Sequence, residues 1–415
     1  MGSADAVEAA RLVLALRTCE DQAAVYARLA QLGPVHVMPW KAVVVSDYTL
    51  CRRVLLDRRC EVLDASWRDR LTPGWRANPS LVAFHSSLLT TNPPRHAPLR
   101  GSLTAGLSPG QVTAMRPAVT AAVEGCLDDL AGVVAREGEA DLVSVLSERL
   151  PGEMLCAWMG LPAHDAPHLI RLARRWSVAC ELGPTPAQLA DADRAYAGLR
   201  DYLLPHLLHR SHTPGEDALS QWLAPAPDGG GLDPAEAVTH AALMFLGAKD
   251  LTALITSAAH TLLTDASLAG RLREDPAAAV TTAEELARQR PPIAVLTRVA
   301  TAGMRLGDVS VEAGRIVHTL LQPANCGGPP AGTALAFGAG AHYCPGASLT
   351  RLCLRTLLPH LARRVPDLSL AAAPSTVEGV VFPRLRSLLV GAAAVRQRRV
   401  GRGQASVREL GVAPK

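Results

Sequence analysis

Residues 337–346 read Phe337-Gly338-Ala339-Gly340-Ala341-His342-Tyr343-Cys344-Pro345-Gly346. Glycines at 338, 340 and 346 allow a tight loop in which backbone N–H groups approach the Cys344 sulfur closely. An apolar stretch at helical spacing, Ala347–Arg364, follows at once, so the sulfur lies at a helix amino terminus, where the dipole favours a thiolate. A thiolate on a rigid, partly buried loop suits axial ligation of haem iron, because electron donation from sulfur promotes O–O cleavage. A lone cysteine in a glycine-rich turn is more often inert; the whole pattern points to a ligand.

The stretch resembles the Phe-Gly-x-Gly-x-His-x-Cys-x-Gly signature of the cytochrome P450 family, the haem-thiolate monooxygenases, and every fixed position matches. The likeness runs from about Gly33 to Val390 and follows the soluble bacterial class most closely. It implies the P450 fold and haem b, with Cys344 on the iron and Phe337, Gly338, His342 and Gly346 in the loop that holds it. Glu285-Leu286-Ala287-Arg288 matches the family's Glu-x-x-Arg, a spacing that puts opposite charges on one helix face. It lies 59 residues before Cys344, in the family's order. Arg298 stands where the family supplies a propionate-binding cation. Pro94-Arg95-His96-Ala97-Pro98-Leu99-Arg100 resembles the family's His-x-x-x-Arg segment, in which His96 and Arg100, four apart on a helix, reach the same propionates. By the same resemblance His342 lies near them.

Two places depart from the family. Its oxygen-activating helix carries Ala/Gly-Gly-x-acid-Thr-Thr, whereas this chain has Leu246-Gly247-Ala248-Lys249-Asp250-Leu251-Thr252. Aligning Gly247 with the second glycine puts Lys249 at the acid and Asp250 at the threonine, and counting back from Leu254-Ile255 gives the same register. A slip of one residue puts Asp250 at the acid and Leu251 at the threonine. In either register the usual alcohol is missing, and Thr252 replaces it only if the helix is locally bulged. An ionised Asp accepts hydrogen bonds but cannot donate one. The second departure is the segment from Asn325 to Phe337, which is shorter than the family's meander and contains no Arg. Glu285 and Arg288 therefore need backbone or water as their remaining partners.

These features imply an oxidative tailoring enzyme acting on a small, largely apolar metabolite in secondary metabolism. It would be fed by a ferredoxin and ferredoxin-reductase type donor. The catalytic candidates are Lys249, Asp250 and Thr252. A pocket is expected from the Trp67–Thr91 loop, from Met244, Ala248 and Leu251, and from Ile293, Val295 and Leu296. The missing alcohol leaves open haem chemistry without monooxygenation, such as cyclisation, rearrangement, group transfer or peroxide-driven oxidation. The shortened meander leaves open a non-catalytic accessory to a partner enzyme.

Composition narrows the field further. The chain has 415 residues, 48% hydrophobic and 19% charged, which is the balance of a folded globular protein. Only 15 residues are aromatic, so the core is built mainly from Ala, Leu and Val, the first two being helix formers. The net charge is +4, with 39 Arg and 3 Lys spread along the chain against 38 acids, so no basic patch argues for nucleic acid. The amino terminus is broken by charges and lacks a signal-peptide pattern. Apolar runs such as Ala241–Gly247 fall short of the ~18 residues of a membrane span. Nine scattered cysteines indicate neither a disulfide framework nor a zinc module. A cytoplasmic protein with no membrane or nucleic-acid partner is the expectation.

Periodicity gives the architecture: mainly α with a small β region. Pro34–Met38 and Ala42–Val45 read as a hairpin and Tyr48–Leu56 as a helix after Ser46-Asp47, with a long loop holding one short helix from Trp67 to Pro94. Val112–Arg136, Leu142–Met159, Ala166–Cys180, Pro186–His209 and Pro234–Leu263 read as helices, and Thr297–Val317 as a second β region. A single haem domain is expected over 1–396, followed by a basic, loose tail over 397–415.

Overall fold

The Ala- and Leu-rich periodic segments form long helices at Arg116–Glu137, Arg149–Met159, Ala166–Trp176, Pro186–His212, Pro234–Thr264 and Ala347–Arg364. The computed structural model describes residues 3–16, 22–181, 183–224, 231–329, 334–375, 377–378, 381–382 and 384–392. Local chemistry sets the helix starts. Asp233 accepts the Glu236 amide ahead of Pro234, and Thr185 with Gln188 forms a capping box.

The Pro234–Thr264 helix is the hub. From Ala237 to Ala248 it packs with Trp158, Leu169, Trp176, Leu199 and Trp222 in one apolar core. From Leu251 to Leu262 it packs with Val123, Leu127, Leu354 and Leu357 in another. The changeover falls at Lys249-Asp250, so the two charged residues occupy the seam between the cores. By length and composition this is the one helix among the described residues that could cross a membrane, and 83% of its apolar window is buried inside the protein.

The principal sheet has five strands in the order Val35–Val37, Val43–Val45, Ile316–Leu320, Val295–Ala300, Cys60–Glu61. The first two form the expected hairpin, with Val35 opposite Val45; Val43–Val45 then runs parallel to Ile316–Leu320. Along Val295–Ala300 the side chains alternate between faces. Val295 is buried with Ala9, Leu16 and Met38, while Leu296 belongs to the core that backs the cysteine loop.

Tyr48–Leu56 is helical as expected, with Asp47 accepting the Leu50 amide at 2.9 Å. Several segments depart from the sequence reading. The Trp67–Pro94 stretch holds more structure than a loop with one helix: Ala65–Leu71 and Pro79–His85 are both helical, with single turns at Trp75–Ala77 and Leu88–Thr90. Asp64 caps the first helix through the Trp67 amide, Pro79 starts the second, and burial of Leu81, Ala83 and Leu88 holds the segment down. Leu142–Met159 is not one continuous α-helix. A wide turn at Val143–Ser147 precedes Arg149–Met159, because Asp141 accepts amides from both Val143 and Leu388 and pins that end to the neighbouring strand. Ser3–Ala15, Gln22–Leu32, Ala266–Glu274 and Leu321–Gly327 are further helices that were not read from the sequence. The tail expected over 397–415 lies outside the described residues.

Candidate active site

The cysteine loop is built from its backbone outward. Leu335 O accepts the Gly338 amide at 2.8 Å, Gly340 O accepts the Tyr343 amide at 3.0 Å, and Phe337 O accepts the Cys344 amide at 2.9 Å. Two glycines are dictated by geometry. Gly338 has φ +72°, and Gly340 has φ +71° with space so tight that a Cβ would lie 2.8 Å from the Leu55 carbonyl oxygen. The loop therefore wedges against the end of the Tyr48–Leu56 helix.

The Glu-x-x-Arg helix, Ala279–Gln289, supports this loop by two routes. Arg288 pairs with Glu285 at 2.6 Å and donates to the Asn325 carbonyl at 2.7 Å. The Asn325 side-chain oxygen accepts the Leu335 amide at 2.7 Å, which closes the connection to the loop. The expectation that backbone would complete the Arg288 pairing is met by this carbonyl. The second route was not read from the sequence. Arg351 pairs with Glu284, donates to the Tyr343 hydroxyl at 2.9 Å and lies 4.5 Å over the Phe337 ring. The signal was present in the spacing: Arg351 is two helical turns beyond Cys344, and Glu284 adjoins the motif's own acid.

Cys344 is deeply enclosed yet keeps some accessible surface, which therefore faces an internal space. Burial pushes its thiol up to about 11, although the Gly346 N–H pulls the other way. Burial thus opposes the thiolate that the helix start favours, and a coordinated metal ion would remove the proton.

Around the space lies a set of donors without acids. Arg298 is 6% exposed and donates to its neighbour Thr297 O; burial lowers it to about 10, and no carboxylate acts on it. His96 lies on the His96–Thr104 helix, its buried Nε2 has no hydrogen-bond partner, and its ring centroid is 4.3 Å from that of His342. Burial, reinforced by the charges of Arg298, His96 and Arg100, holds His342 down to about 3. Buried cationic and imidazole groups with no anion of their own fit the carboxylates of a porphyrin. A Cβ on Gly247, mid-helix, would meet nothing within 4 Å, so open space adjoins the hub helix there. The residues present fit haem.

Across the space, the hub helix is regular through Lys249 and Asp250, with no bulge. Thr252 spends its hydroxyl on the Ala248 carbonyl at 3.2 Å, four residues back along the helix, so the condition for Thr252 to stand in as the missing alcohol is not met. Lys249 Nζ lies 3.9 Å from Asp250 Oδ1 and 2.9 Å from the Phe382 ring centroid. Neither atom has a hydrogen-bond partner. Burial raises the Asp250 carboxyl well above its ordinary range and lowers the Lys249 ammonium. Asp250 is close enough to Cys344 to act on its sulfur. A carboxyl raised in this way keeps its proton to a higher pH than an ordinary aspartate, and in that form it can donate a hydrogen bond.

Not all expected pocket residues come together. Met244 and Ala248 belong to the core on one side of the seam, Leu251 to the core on the other, and Val295 points to the far face of the sheet. Ile293 is partly exposed, and Leu296 approaches the cysteine loop, 3.8 Å from a Cβ placed on Gly338. Phe382 and Glu181 were not singled out in the sequence. Val381 brings them in: its amide donates to Glu181 at 3.3 Å, and its carbonyl accepts the Ala294 amide at 2.8 Å.

A buried cysteine loop at a helix start, facing a polar point on a long central helix across an anion-seeking space, defines a haem-thiolate protein. Comparison with known proteins narrows that class. The chain is 30% identical over 382 residues to the mycinamicin VIII C21 methyl hydroxylase of Micromonospora griseorubida, covering 87% of this chain and 94% of that one. It is 29% identical over 384 residues to the cytochrome P450 monooxygenase PikC of Streptomyces venezuelae, covering 88% of each. The CalO2 crystal structure superposes with a TM-score of 0.80 at 26% identity, over 90% of this chain and 96% of that one. No family model matches the chain. The chain belongs to the cytochrome P450 family, in its bacterial class, and is an oxidoreductase with a haem cofactor and a role in oxidative tailoring.

Proposed function

We propose that this P450 binds haem b through Cys344 and hydroxylates, or otherwise oxidises, a small and largely apolar metabolite of secondary metabolism. The observation that carries the reading is the glycine-held Cys344 loop, whose enclosed sulfur feels the Asp250 carboxylate of the hub helix. Haem bound through a thiolate supplies dioxygen activation and O–O cleavage. His96, Arg100 and Arg298, with His342 beside them, would hold its propionates, and Phe337, Gly338 and Gly346 would shape the loop beneath. Asp250 takes the place of the family's alcohol. Its carboxyl, raised to about 6 by burial, takes up a proton more readily than an ordinary aspartate on the side of the space opposite Cys344, and Lys249 keeps a positive charge beside it. The electron donor would be of the ferredoxin type, and residues 1–396 would form the haem unit.

Absorption spectra of the purified protein as ferric, reduced, and reduced with carbon monoxide test the assignment. A strongly red-shifted carbon-monoxide band supports it, and a bare protein or a neutral-ligand band sinks it. A second reading, haem chemistry without monooxygenation, is favoured by the engagement of Thr252 with Ala248. Full incorporation of label from dioxygen, at full coupling to reductant consumption, would exclude it.

A further inference from the structure

Arg351 is held against the ligand loop at two points. Its guanidinium lies 4.5 Å over the Phe337 ring, and its Nη1 donates to the Tyr343 hydroxyl at 2.9 Å. Phe337 supplies the carbonyl that accepts the Cys344 amide, and Tyr343 directly precedes Cys344. Arg351 itself belongs to the Ala347–Arg364 helix, which starts just after the cysteine. Loop and helix together therefore fix this cation relative to the sulfur.

Glu284, on the Ala279–Gln289 helix, accepts from Arg351 Nε at 2.5 Å and from Nη2 at 3.1 Å, a fork that sets the guanidinium plane. These bonds outweigh burial and raise Arg351 further, so it stays charged. The two side chains are 24% and 16% exposed, and water screens such a couple less than a surface pair. Arg355 lies 3.9 Å from the same carboxylate, but its side chain is 42% exposed and adds little.

A brace needs no charge in this place, since neutral Asn325 serves the neighbouring route. What a charge adds is a field. The charged side chains that act on the Cys344 sulfur are Asp250, Arg100 and Arg351. Asp250 stands on the hub helix and Arg100 belongs to the propionate set, so Arg351 is the cation built into the support of the loop. The hydrogen bonds and ion pairs of Glu284 all go to Arg351 and Arg355. The carboxylate thus reaches the loop through Arg351, and the two charges do not cancel at the sulfur.

We infer that Arg351 and Glu284 form a charge couple whose net field at Cys344 sets electron donation from the sulfur, and with it the reduction potential of the bound haem. The inference rests on the reading of Cys344 as the iron ligand. Positive charge near a thiolate weakens its donation and favours reduced iron, and the carboxylate behind it works the other way. Both are positioning residues that act through the cysteine.

The test is a dye-coupled spectral redox titration of the haem-loaded full chain, with a carbon-monoxide spectrum of each sample. Arg351→Met leaves Glu284 uncompensated and should lower the potential. Glu284→Gln leaves Arg351 uncompensated and should raise it. Each shift should change the ferric-to-ferrous ratio at a fixed potential by about threefold to tenfold, the scale of one partly buried charge. The double variant should return toward the unmodified value, and Arg351→Lys, which keeps the charge without the fork, should stay within about twofold of it. Loosened packing alone would move both single variants the same way. Shifts of one sign, or no shift in either, overturn the inference and leave a mechanical brace. Should Arg351→Met release its haem, the other two single variants decide: a raised potential in Glu284→Gln beside an unmoved one in Arg351→Lys supports the couple, and no rise overturns it. If the unmodified protein gives no red-shifted carbon-monoxide band, the haem-thiolate reading fails and this inference falls with it.

Discussion

The two walls of the interior space are built on opposite plans. On the cysteine side, most polar groups are closed in pairs, Asn325 Nδ2 excepted: Phe337 O with Cys344 N, Arg288 with Glu285 and Asn325, Asn325 with Leu335, Arg351 with Glu284 and Tyr343. On the helix side, Lys249 and Asp250 are buried with hydrogen-bonding capacity unused. The contrast separates two tasks. A ligand loop has to keep one geometry, and a satisfied network provides that. The helix wall instead holds two charged groups 3.9 Å apart whose protonation is set by burial.

The contrast can be broken first at the sulfur. Cys344→Ala should abolish the red-shifted carbon-monoxide band completely, and an unchanged spectrum would refute the thiolate assignment. Next in size is the clamp beneath the loop. Arg351→Ala leaves Glu284, whose side chain is 16% exposed, without its main partner. The loss of charge-assisted hydrogen bonds should cost about 2–4 kcal/mol in denaturant unfolding and speed haem loss. Gly340→Ala should cost about 1–3 kcal/mol, because its φ of +71° and the nearby Leu55 carbonyl both oppose a Cβ. A loss within error of zero would show that the loop can slide.

The smallest effect lies on the helix wall and sharpens the contrast through pH. The folded-state pKa of Asp250 is raised above its ordinary 3.8, so the folded state holds a proton that the unfolded chain gives up. Its ionisation therefore disfavours the fold. The cost is absent below 3.8, grows as pH rises from there toward the raised value, and is complete above it. Lys249 has the opposite sign: lowered from 10.5, it disfavours the fold increasingly as pH falls below that value. Asp250→Asn should remove the acid-side slope and leave the alkaline one, read as unfolding midpoints across pH. An unaltered acid-side slope would place the carboxyl in a wetter setting than the structure gives it.

Much of this was legible in the sequence, for identifiable reasons. The cysteine loop declared itself because a left-handed glycine and a sulfur ligand both impose residue types at fixed spacing, as at Gly338 and Cys344. The long helices declared themselves by period, and the hairpin at 34–45 by its β-branched runs. Short elements did not. Pro79–His85 and Ala65–Leu71 are held by tertiary burial and by single caps such as Asp64, which weigh little in a window of sequence. The pocket reading followed family topology, and so missed that Val295 alternates onto the far face of its strand. The role of Phe382 was invisible because nothing local marks it; it reaches Lys249 only through the ties of Val381.

Asn325 carries a lesson for making such proteins smaller. Its main-chain carbonyl accepts from the Arg288 guanidinium and its side-chain oxygen accepts from the Leu335 amide, so one neutral residue couples the charged helix motif to the ligand loop. Family relatives, by resemblance, devote a longer arginine-bearing excursion of chain to that coupling. A designer wishing to trim a haem-thiolate scaffold can graft this asparagine together with the abbreviated connection, and transfer the linkage as a single portable module.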